Sequence, residues 1–422
     1  MDGQGIDHIA RSLASGTSRR SVMKATLARA AGGAAVLLGD WMAEAAKVPA
    51  GEERMREDAY DVVIVGARVA GAILATLLGE AGYRVLLVDR AQFPSPALST
   101  HFFRGNGLVA ALGRIGVLDD VLALGSPPLV SMYDYADGGT EPTIAPFPNS
   151  GEAGFCLSVR REPLDHLLVQ RAMTFPSVTF SPSTRLLEVL QEEDRVVGAR
   201  VLDPEGETTV RARIVIGADG RHSLVAREVG APTEMEDPPI RGIFHRYVRN
   251  FPGPDGTQPD GAEFSRIEDE KAYVFPSDAG VTCIAFSVNL ADFARMRTDP
   301  DAHFRERMAA HHGLADRFAA AEPVGKQLGC GPEASWVRVP VGPGWALVGD
   351  AGIHQDPWTG RGMDFAGTHA SYLAQALLAW FSGTTSEVEA LAAYHERRNA
   401  HALPLYQETL SLGRDLRQLA QA

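Results

Sequence analysis

The chain has 422 residues, of which 45% are hydrophobic and 22% are charged, a balance typical of a globular protein with two or three domains. Its formal net charge of -13 argues against binding to nucleic acid or to acidic membrane surfaces, because like charges repel. No run of residues is long and apolar enough to span a bilayer. Cys156, Cys283 and Cys330 fit no metal-binding or redox spacing, so we predict no metal site.

Residues 1–54 differ in composition from the rest of the chain and are set apart from the fold prediction as a leader. Residues 18–24 (SRRSVMK) resemble a twin-arginine export signal, and a small-residue cleavage pattern, AEA, follows at 43–45. Against export, Arg29 interrupts the apolar region and Met55 is an alternative start. Two locations therefore stay open: the cytoplasm, or export by the twin-arginine route if residues 1–46 are a genuine signal.

The first predicted elements are a strand, a tight turn and a helix. Residues 61–66 (DVVIVG) are a short β-branched run typical of a buried parallel strand, and the turn GARVAG at 66–71 opens a helix of small residues. A second strand ends at Asp89, 23 residues beyond Gly66 (89 minus 66), close to the spacing at which an acid meets the ribose of a bound dinucleotide. The N–H groups that open the helix would face the pyrophosphate.

Arg68 stands where the dinucleotide-binding pattern has its second glycine. Its side chain must either point away from the cofactor or reach the phosphates as a counter-charge, and we favour the outward arrangement. A βαβ unit that binds nothing is the structural alternative.

Two later segments also predict a strand that runs into a glycine turn. One is RIVIGADGRHS at 213–223, which contains Asp219 and Gly220, and the other is GWALVGDAG at 344–352, which contains Gly349 and Asp350. The loop HQDPWTGRGM at 354–363 continues the last segment.

Together these segments resemble the FAD-dependent hydroxylases related to para-hydroxybenzoate hydroxylase and their relatives, the geranylgeranyl reductases. The resemblance covers about residues 57–400, is dense at the three motifs and is thin between 235 and 330. It implies an α/β fold, in which a Rossmann-like FAD-binding domain of the glutathione-reductase type carries an inserted β-sheet substrate domain and a helical C-terminus. The implied domains are 57–234 (first part of the FAD-binding domain, with some substrate-domain strands interleaved), 235–330 (substrate domain), 331–384 (second part of the FAD-binding domain) and 385–422 (C-terminal helices).

The resemblance also implies how FAD is bound. Asp350 would accept hydrogen bonds from hydroxyl groups of the ribityl chain or ribose, and the loop at 354–363 would pass close to the isoalloxazine ring. Arg161 precedes a helix near the cofactor, where a simple helix-capping role is the alternative. NAD(P)H would bind transiently, because the sequence has no second dinucleotide fingerprint. The residues implied at the FAD site are Gly66, Arg68, Ala70, Gly71, Asp89, Arg90, Arg161, Asp219, Gly220, Gly349, Asp350, Pro357, Gly360, Gly362 and Met363.

The segment between the second and third motifs predicts the substrate side. Alternation at 242–248 places Ile243, His245 and Tyr247 on one face of a strand, and residues 272–276 and 281–288 also predict strands. A sheet with aromatic side chains toward a pocket would suit a small apolar or aromatic substrate. The alternative is that these aromatics only pack the core of the sheet.

His354, Asp356 and His101 are the candidates for proton transfer, because they lie in segments that the resemblance brings near the flavin. The function implied first is a monooxygenase that hydroxylates a small organic substrate through a flavin hydroperoxide, with NAD(P)H as reductant. An alkene reductase of the geranylgeranyl reductase type and a non-catalytic flavin-binding protein are the alternatives. A halogenase is discounted, because it requires a lysine near the flavin and no lysine occurs between Lys47 and Lys271.

Overall fold

The computed structural model describes residues 54–55, 60–99, 101–136, 138–254, 256 and 261–416. The predicted leader, except its last residue, lies outside these ranges. The strands are β1 (Arg54–Met55), β2 (Tyr60–Val65), β3 (Val85–Val88), β4 (Phe102–Phe103), β5 (Ser131–Tyr135), β6 (Thr143–Pro146), β7 (Leu157–Ser158), β8 (Val178–Ser181), β9 (Arg185–Glu192), β10 (Arg195–Asp203), β11 (Gly206–Gly217), β12 (Thr233–Asp237), β13 (Arg241–Arg249), β14 (Gly261–Ile267), β15 (Glu270–Pro276), β16 (Val281–Asn289), β17 (Glu322–Cys330), β18 (Ser335–Arg338), β19 (Val341–Gly342), β20 (Trp345–Leu347) and β21 (Ile353–His354). The helices are α1 (Val69–Glu80), α2 (Ala110–Arg114), α3 (Leu118–Leu122), α4 (Arg161–Met173), α5 (Leu224–Glu228), α6 (Leu290–Met296), α7 (Pro300–Ala310), α8 (Leu314–Ala319), α9 (Gly362–Phe381) and α10 (Glu387–Gly413). None of the described helices combines the length and the apolar character that crossing a membrane requires.

The first sheet has the strand order β19-β20-β11-β2-β3-β8, and its central strands run parallel. These strands are nearly continuous apolar runs because both faces of the sheet are covered. Val62 and Ile64 point into a cluster with α1, α4 and α9, whereas Val63 and Val65 point into a cluster with β9, β10 and α5.

The second sheet has the strand order β17-β13-β16-β15-β14-β5-β6. Its neighbouring strands are antiparallel except for β14 and β5, which pair in parallel. Strands β5 and β6 precede the second motif in sequence, so two separate stretches of chain build this sheet. The predicted mixed α/β architecture is confirmed.

Alternate residues of the second sheet pack on opposite faces, as period-two side-chain geometry requires. Phe244 and Val248 pack against α6, α7 and α8. Ile243 and Tyr247 lie on the opposite face, in a cluster that includes Phe102 of β4. The alternation predicted for residues 242–248 is confirmed, and it turns one face of the second sheet toward the segment that follows the first βαβ unit.

Candidate active site

The three sequence motifs meet at one edge of the first sheet. In the strand register, Gly217 of β11 lies opposite both Val65 of β2 and Leu347 of β20. Since these strands run parallel, the turns that follow them begin side by side at their carboxyl ends. This edge is where open α/β sheets bind their ligands.

Close backbone contact explains the glycines of the first motif. Gly66 has a φ of +103°, and a Cβ at this position would lie 2.3 Å from the carbonyl oxygen of Ala218. A Cβ on Gly71 would lie 1.8 Å from the carbonyl oxygen of Gly66. The turn between β2 and α1 therefore packs directly on the turn after β11, and neither glycine position has room for a side chain.

The third motif completes this edge. Gly349 has a φ of +63°, and a Cβ there would lie 3.2 Å from the Cβ of Ala70. A Cβ on Gly362 would lie 3.9 Å from Oδ1 of Asp350, whose side chain is 40% exposed. The first turns of α1 and α9 thus both lie beside the Gly349–Asp350 turn. Neither helix has a side-chain N-cap, so their first N–H groups can bind an anion or a carbonyl oxygen.

Asp89 stabilises the first turn from the end of β3. Its carboxylate accepts hydrogen bonds from the N–H groups of Ala67 and Ala91, each at 2.8 Å. An ionised carboxylate has further lone pairs, so Asp89 can accept another hydrogen bond, from a hydroxyl group, in addition to these two. Arg90 is exposed.

Asp219 of the second motif has a structural contact that the sequence did not reveal. It accepts hydrogen bonds from the Ser223 hydroxyl at 2.5 Å and from the N–H of Leu224 at 2.7 Å, and so it stabilises the start of α5. Burial raises the pKa of the Asp219 carboxyl. Gly220 has a φ of +77°, which lets the chain turn between β11 and this helix.

Two arginines share the carboxylate of Asp165. Arg68 donates to Asp165 at 2.8 Å, to the Ser95 hydroxyl at 3.0 Å and to the Pro96 carbonyl at 3.1 Å. Arg161 donates to the other oxygen of Asp165 at 3.0 Å. The Arg68 guanidinium is therefore occupied by acceptors of the protein itself.

A cavity of about 330 Å³ lies between the second sheet and the loop that precedes α9. This volume is in the range of small-molecule sites. Pro357 and Gly360 line the cavity from the loop, and Met363, in the first turn of α9, lies with its sulfur 4.0 Å from the Ser99 hydroxyl. The Tyr273 hydroxyl donates to the Trp358 carbonyl at 2.6 Å and so joins the sheet to the loop. The aromatic side chains of the cavity wall are Phe102, Phe147, Phe264, Tyr273, Phe275 and Trp358.

A family model described as "FAD binding domain" matches residues 59–409. The chain belongs to this FAD-binding family. It is 26% identical over 358 residues to digeranylgeranylglycerophospholipid reductase of Methanosarcina acetivorans, with 81% of each chain covered. It is 28% identical over 372 residues to kynurenine 3-monooxygenase of Salinispora arenicola, with 81% of this chain and 76% of that one covered. The solved structure of the myxobacterial chondrochloren halogenase CndH has the same fold, with a TM-score of 0.75, 20% identity, and 84% of this chain and 82% of that one covered.

The protein is therefore an FAD-dependent oxidoreductase, and its geometry fits the cofactor. The uncapped start of α1 offers the partial positive charge that a pyrophosphate requires. The half-exposed Asp350 carboxylate faces the start of α9, where a hydroxyl of the cofactor can reach it.

The Asp356 carboxylate is hydrogen-bonded to the backbone of the loop and of β13. Its oxygens accept hydrogen bonds from the backbone N–H groups of Trp358 and Arg241, each at 3.1 Å, and it is buried. It thus fixes the loop before α9. His354 lies beside the Gly349–Asp350 turn, with Nδ1 3.4 Å from Asp350, and its ring centroid lies 4.6 Å from that of Trp336. Among the residues that the structure describes, neither of these side chains lines the cavity, and that of His101 does not line it either.

His101 lies in a buried polar cluster with His245 and Tyr247 of β13. Its Nε2 is hydrogen-bonded to the Tyr247 hydroxyl, and the two rings are stacked at 5.4 Å. Burial lowers the pKa of His101 well below its usual value, and neighbouring His245 and the arginines at 160–161 lower it further. His101 is therefore neutral at pH 7, and Nδ1 has no hydrogen-bond partner within the described part of the chain.

Sequence reasoning missed the ion pair of Arg104 and Asp364. The Asp364 carboxylate accepts from the N–H of Arg104 at 2.9 Å, from its guanidinium at 2.9 Å and from the N–H of Leu108 at 3.1 Å. Arg104 also donates to the carbonyls of Thr359 at 2.8 Å and Gly360 at 3.1 Å. This pair holds the cavity loop against the segment after β4. The available signal was an acid in the first turn of α9, where it is electrostatically favoured.

Sequence reasoning also missed Lys271, which lines the cavity from β15. Its amine lies 4.7 Å from the centroid of the Phe264 ring and 5.4 Å from that of Tyr273. Burial lowers the pKa of Lys271 to about 8. The argument against a halogenase from the positions of the lysines is therefore weakened. The signal was the alternation of β15, which places Lys271 on the same face as Tyr273 and Phe275.

Proposed function

We propose that this FAD-dependent oxidoreductase is a monooxygenase that hydroxylates a small aromatic substrate, with NAD(P)H as reductant. The observation that carries the proposal is the cavity, whose walls combine six aromatic rings with basic side chains in a volume of about 330 Å³. Such walls favour a compact ring with a polar group. A long isoprenoid chain would instead favour an apolar channel without buried charges.

In this proposal the edge of the first sheet holds FAD. The pyrophosphate would lie at the start of α1, a ribose at Asp89, and the ribityl chain at Asp350. When bound and reduced, FAD supplies the electrons that activate molecular oxygen for transfer of one oxygen atom to the substrate. The remaining residues proposed to contact FAD are Gly66, Arg68, Ala70, Gly71, Arg90, Arg161, Asp219, Gly220, Gly349, Pro357, Gly360, Gly362 and Met363.

The side chains of the cavity orient the substrate and exclude water. Trp358 is buried and its indole N–H donates to the Thr409 carbonyl at 2.8 Å, which fixes the position of the ring. Phe102 and Phe275 are stacked with their ring centroids 4.9 Å apart and form another part of the wall. Fixed aromatic walls would keep a substrate ring in one orientation and protect the reaction from side reactions with water.

Of the three predicted proton-transfer residues, none lines the cavity, and we favour His101 because its ring has a nitrogen without a partner among the described residues. Asp356 is committed to two backbone N–H groups, whereas His101 is neutral and its Nδ1 is free among the described residues. A neutral imidazole can accept a proton at Nδ1 while Nε2 stays bonded to the Tyr247 hydroxyl.

The test is rapid mixing of anaerobically reduced, FAD-loaded protein with oxygen, in the presence and absence of a panel of aromatic acids. A transient absorbing species before the flavin reoxidises, together with incorporation of one oxygen-18 atom into the product, is the expected result. One-step reoxidation with every compound, and no oxygenated product, would refute the proposal. Inclusion of bromide in a parallel mixture tests the halogenase, since a brominated product would assign the chain to that chemistry instead.

A second candidate function is reduction of isoprenoid double bonds. It is supported by the 26% identity to a digeranylgeranylglycerophospholipid reductase over most of both chains. Consumption of the reduced flavin by an isoprenoid alkene without oxygen would favour this function. Absence of any reductant consumption by protein with bound FAD would favour the non-catalytic alternative.

A further inference from the structure

We propose that the cavity binds an aromatic carboxylate, and that Lys271 supplies its counter-charge. This inference rests on the proposed function, since it names the substrate class of the same cavity. It follows from a comparison of the basic side chains of the cavity wall: some are paired with a carboxylate of the protein, and one is not.

Each arginine of the cavity wall has a carboxylate partner. Arg104 pairs with Asp364 at 2.9 Å, and Arg266 pairs with Asp134 at 3.2 Å. The third pair is Arg361 with Glu408, at 2.8 Å. These arginines are thus neutralised by the protein before any substrate enters.

Lys271, the remaining basic residue of the cavity wall, has no such partner. Within the described part of the chain, no carboxylate lies within ion-pair distance of its amine and no hydrogen-bond acceptor contacts it. The neighbours of the amine are instead the rings of Phe264, Tyr273 and Trp358, at 4.7, 5.4 and 5.6 Å from their centroids. An ammonium in this environment is stabilised by the ring faces but has lost most of its hydration.

The chemistry that completes this site is an anion joined to a flat ring. A carboxylate would give the ammonium the hydrogen-bonding partner it lacks, and a charge-assisted bond in a poorly hydrated cavity is stronger than one in water. The ring would contact the aromatic wall, where Phe102, Phe147 and Phe264 offer edges and faces. A neutral ligand of the same shape would leave the ammonium unpaired.

Ionisation of Lys271 gives the binding a defined pH dependence. Burial lowers its pKa to about 8; Asp134 acts in the opposite direction, whereas Arg266, Arg104 and Arg241 add to the decrease. The paired Glu408 and Arg361 also line the cavity. A bound carboxylate raises the pKa of the amine, so affinity is full below pH 8 and is lost as the pH rises above it.

The experiment compares benzoate with benzamide as probes, using the oxidised, FAD-loaded protein and calorimetric titration. We expect benzoate to bind at least about tenfold more tightly than benzamide at pH 7, and its affinity to fall about tenfold between pH 7 and pH 9. Lys271→Met should abolish the preference, and Lys271→Arg should retain it. Lys326→Met is the matched control, since Lys326 is exposed on β17, and it should bind both probes as the unmodified protein does.

Equal affinity for the two probes, no binding of benzoate at about 10 mM, or a preference that persists in Lys271→Met would each overturn the inference. If Lys271→Met does not fold, the pH titration of the unmodified protein decides, because an affinity that is constant between pH 7 and pH 9 also overturns it. The titration requires no turnover. A benzoate preference without oxygen transfer would therefore refute the proposed function alone, and oxygen transfer without the preference would refute this inference alone.

Discussion

Replacing Arg68 by methionine removes the guanidinium and keeps most of the aliphatic stem beside Phe93. The guanidinium carbon lies 5.7 Å from the centre of that ring, and the charged groups bond to Asp165, Ser95 and Pro96. The substitution therefore tests whether this arginine, at the position of a phosphate-binding glycine, stabilises the fold or binds the cofactor.

The expected loss follows from the burial of the partners. The Asp165 side chain is fully buried, whereas that of Arg68 is 29% exposed. Hydrogen bonds to charged groups contribute about 1.5–3 kcal/mol each. Asp165 keeps Arg161 as a second partner at 3.0 Å, so the larger penalty of an uncompensated buried charge does not arise. We expect Arg68→Met to lower the free energy of unfolding by about 2 kcal/mol.

The assay is urea unfolding of the FAD-loaded protein, with Arg68→Met, Asp165→Asn and the double variant forming a thermodynamic cycle. The control is Arg114→Met, because the Arg114–Glu80 pair at 3.1 Å is exposed and should contribute less than about 1 kcal/mol. FAD titration of the Arg68→Met apoprotein should show a change in affinity below about tenfold. A coupling free energy between Arg68 and Asp165 below about 0.5 kcal/mol, together with an FAD affinity reduced more than about a hundredfold, would show that Arg68 binds the phosphates of FAD instead.

Three further outcomes are expected. Gly71→Ala should yield protein without bound FAD, because the new Cβ would lie 1.8 Å from the carbonyl oxygen of Gly66. The measurement is absorbance at 450 nm per mole of protein. Gly113→Ala is the control, since a Cβ at that position would meet no atom within 4 Å. His245 has its pKa lowered by burial to about 4, below the unfolded value of 6.5, so its contribution to stability is present above pH 6.5 and is lost as the pH falls toward 4. His245→Gln should remove about 3 kcal/mol of that pH dependence in unfolding curves, whereas exposed His222→Gln should leave it unchanged. Asp356→Asn should lower the free energy of unfolding by about 1–3 kcal/mol and leave the shape of the pH–rate profile of substrate oxygenation intact. Disappearance of one limb of that profile would show instead that Asp356 transfers a proton.

The first sheet and the edge at which its three turns meet could be predicted because their signals are local. The β-branched run of β2, the turn at Gly66 and the acid at Asp89 lie within one βαβ unit, and the close backbone contacts at Gly66 and Gly71 leave no room for a Cβ. The turns at Asp219 and Gly349 repeat the same strand-and-turn pattern. Parallel pairing then brings the three turns to one edge.

The cavity could not be predicted in the same way, because its contacts join distant parts of the chain. Arg104 and Asp364 are separated by 260 residues, and no periodicity connects them. Strand β5 lies far from β14 in sequence but pairs with it in the second sheet. No local pattern around Asp134 therefore indicates that this residue lines the cavity. Asp356 shows the converse case: a polar residue in a glycine-rich loop suggests chemistry, yet its carboxylate satisfies two backbone N–H groups.

The parallel pairing of β5 with β14 has a consequence for recombining relatives of this protein. The part of the cavity wall that the second sheet supplies comes from two stretches, one around residues 131–147 and one from 243–275, with the segment 213–223 between them in sequence. A chimera that exchanged only the later stretch would have a cavity wall from two different proteins. Side chains of β5 and β14, which lie side by side, would then no longer be matched to each other. Transferring specificity therefore requires at least these two exchanges together, and exchange of the later stretch alone is not sufficient.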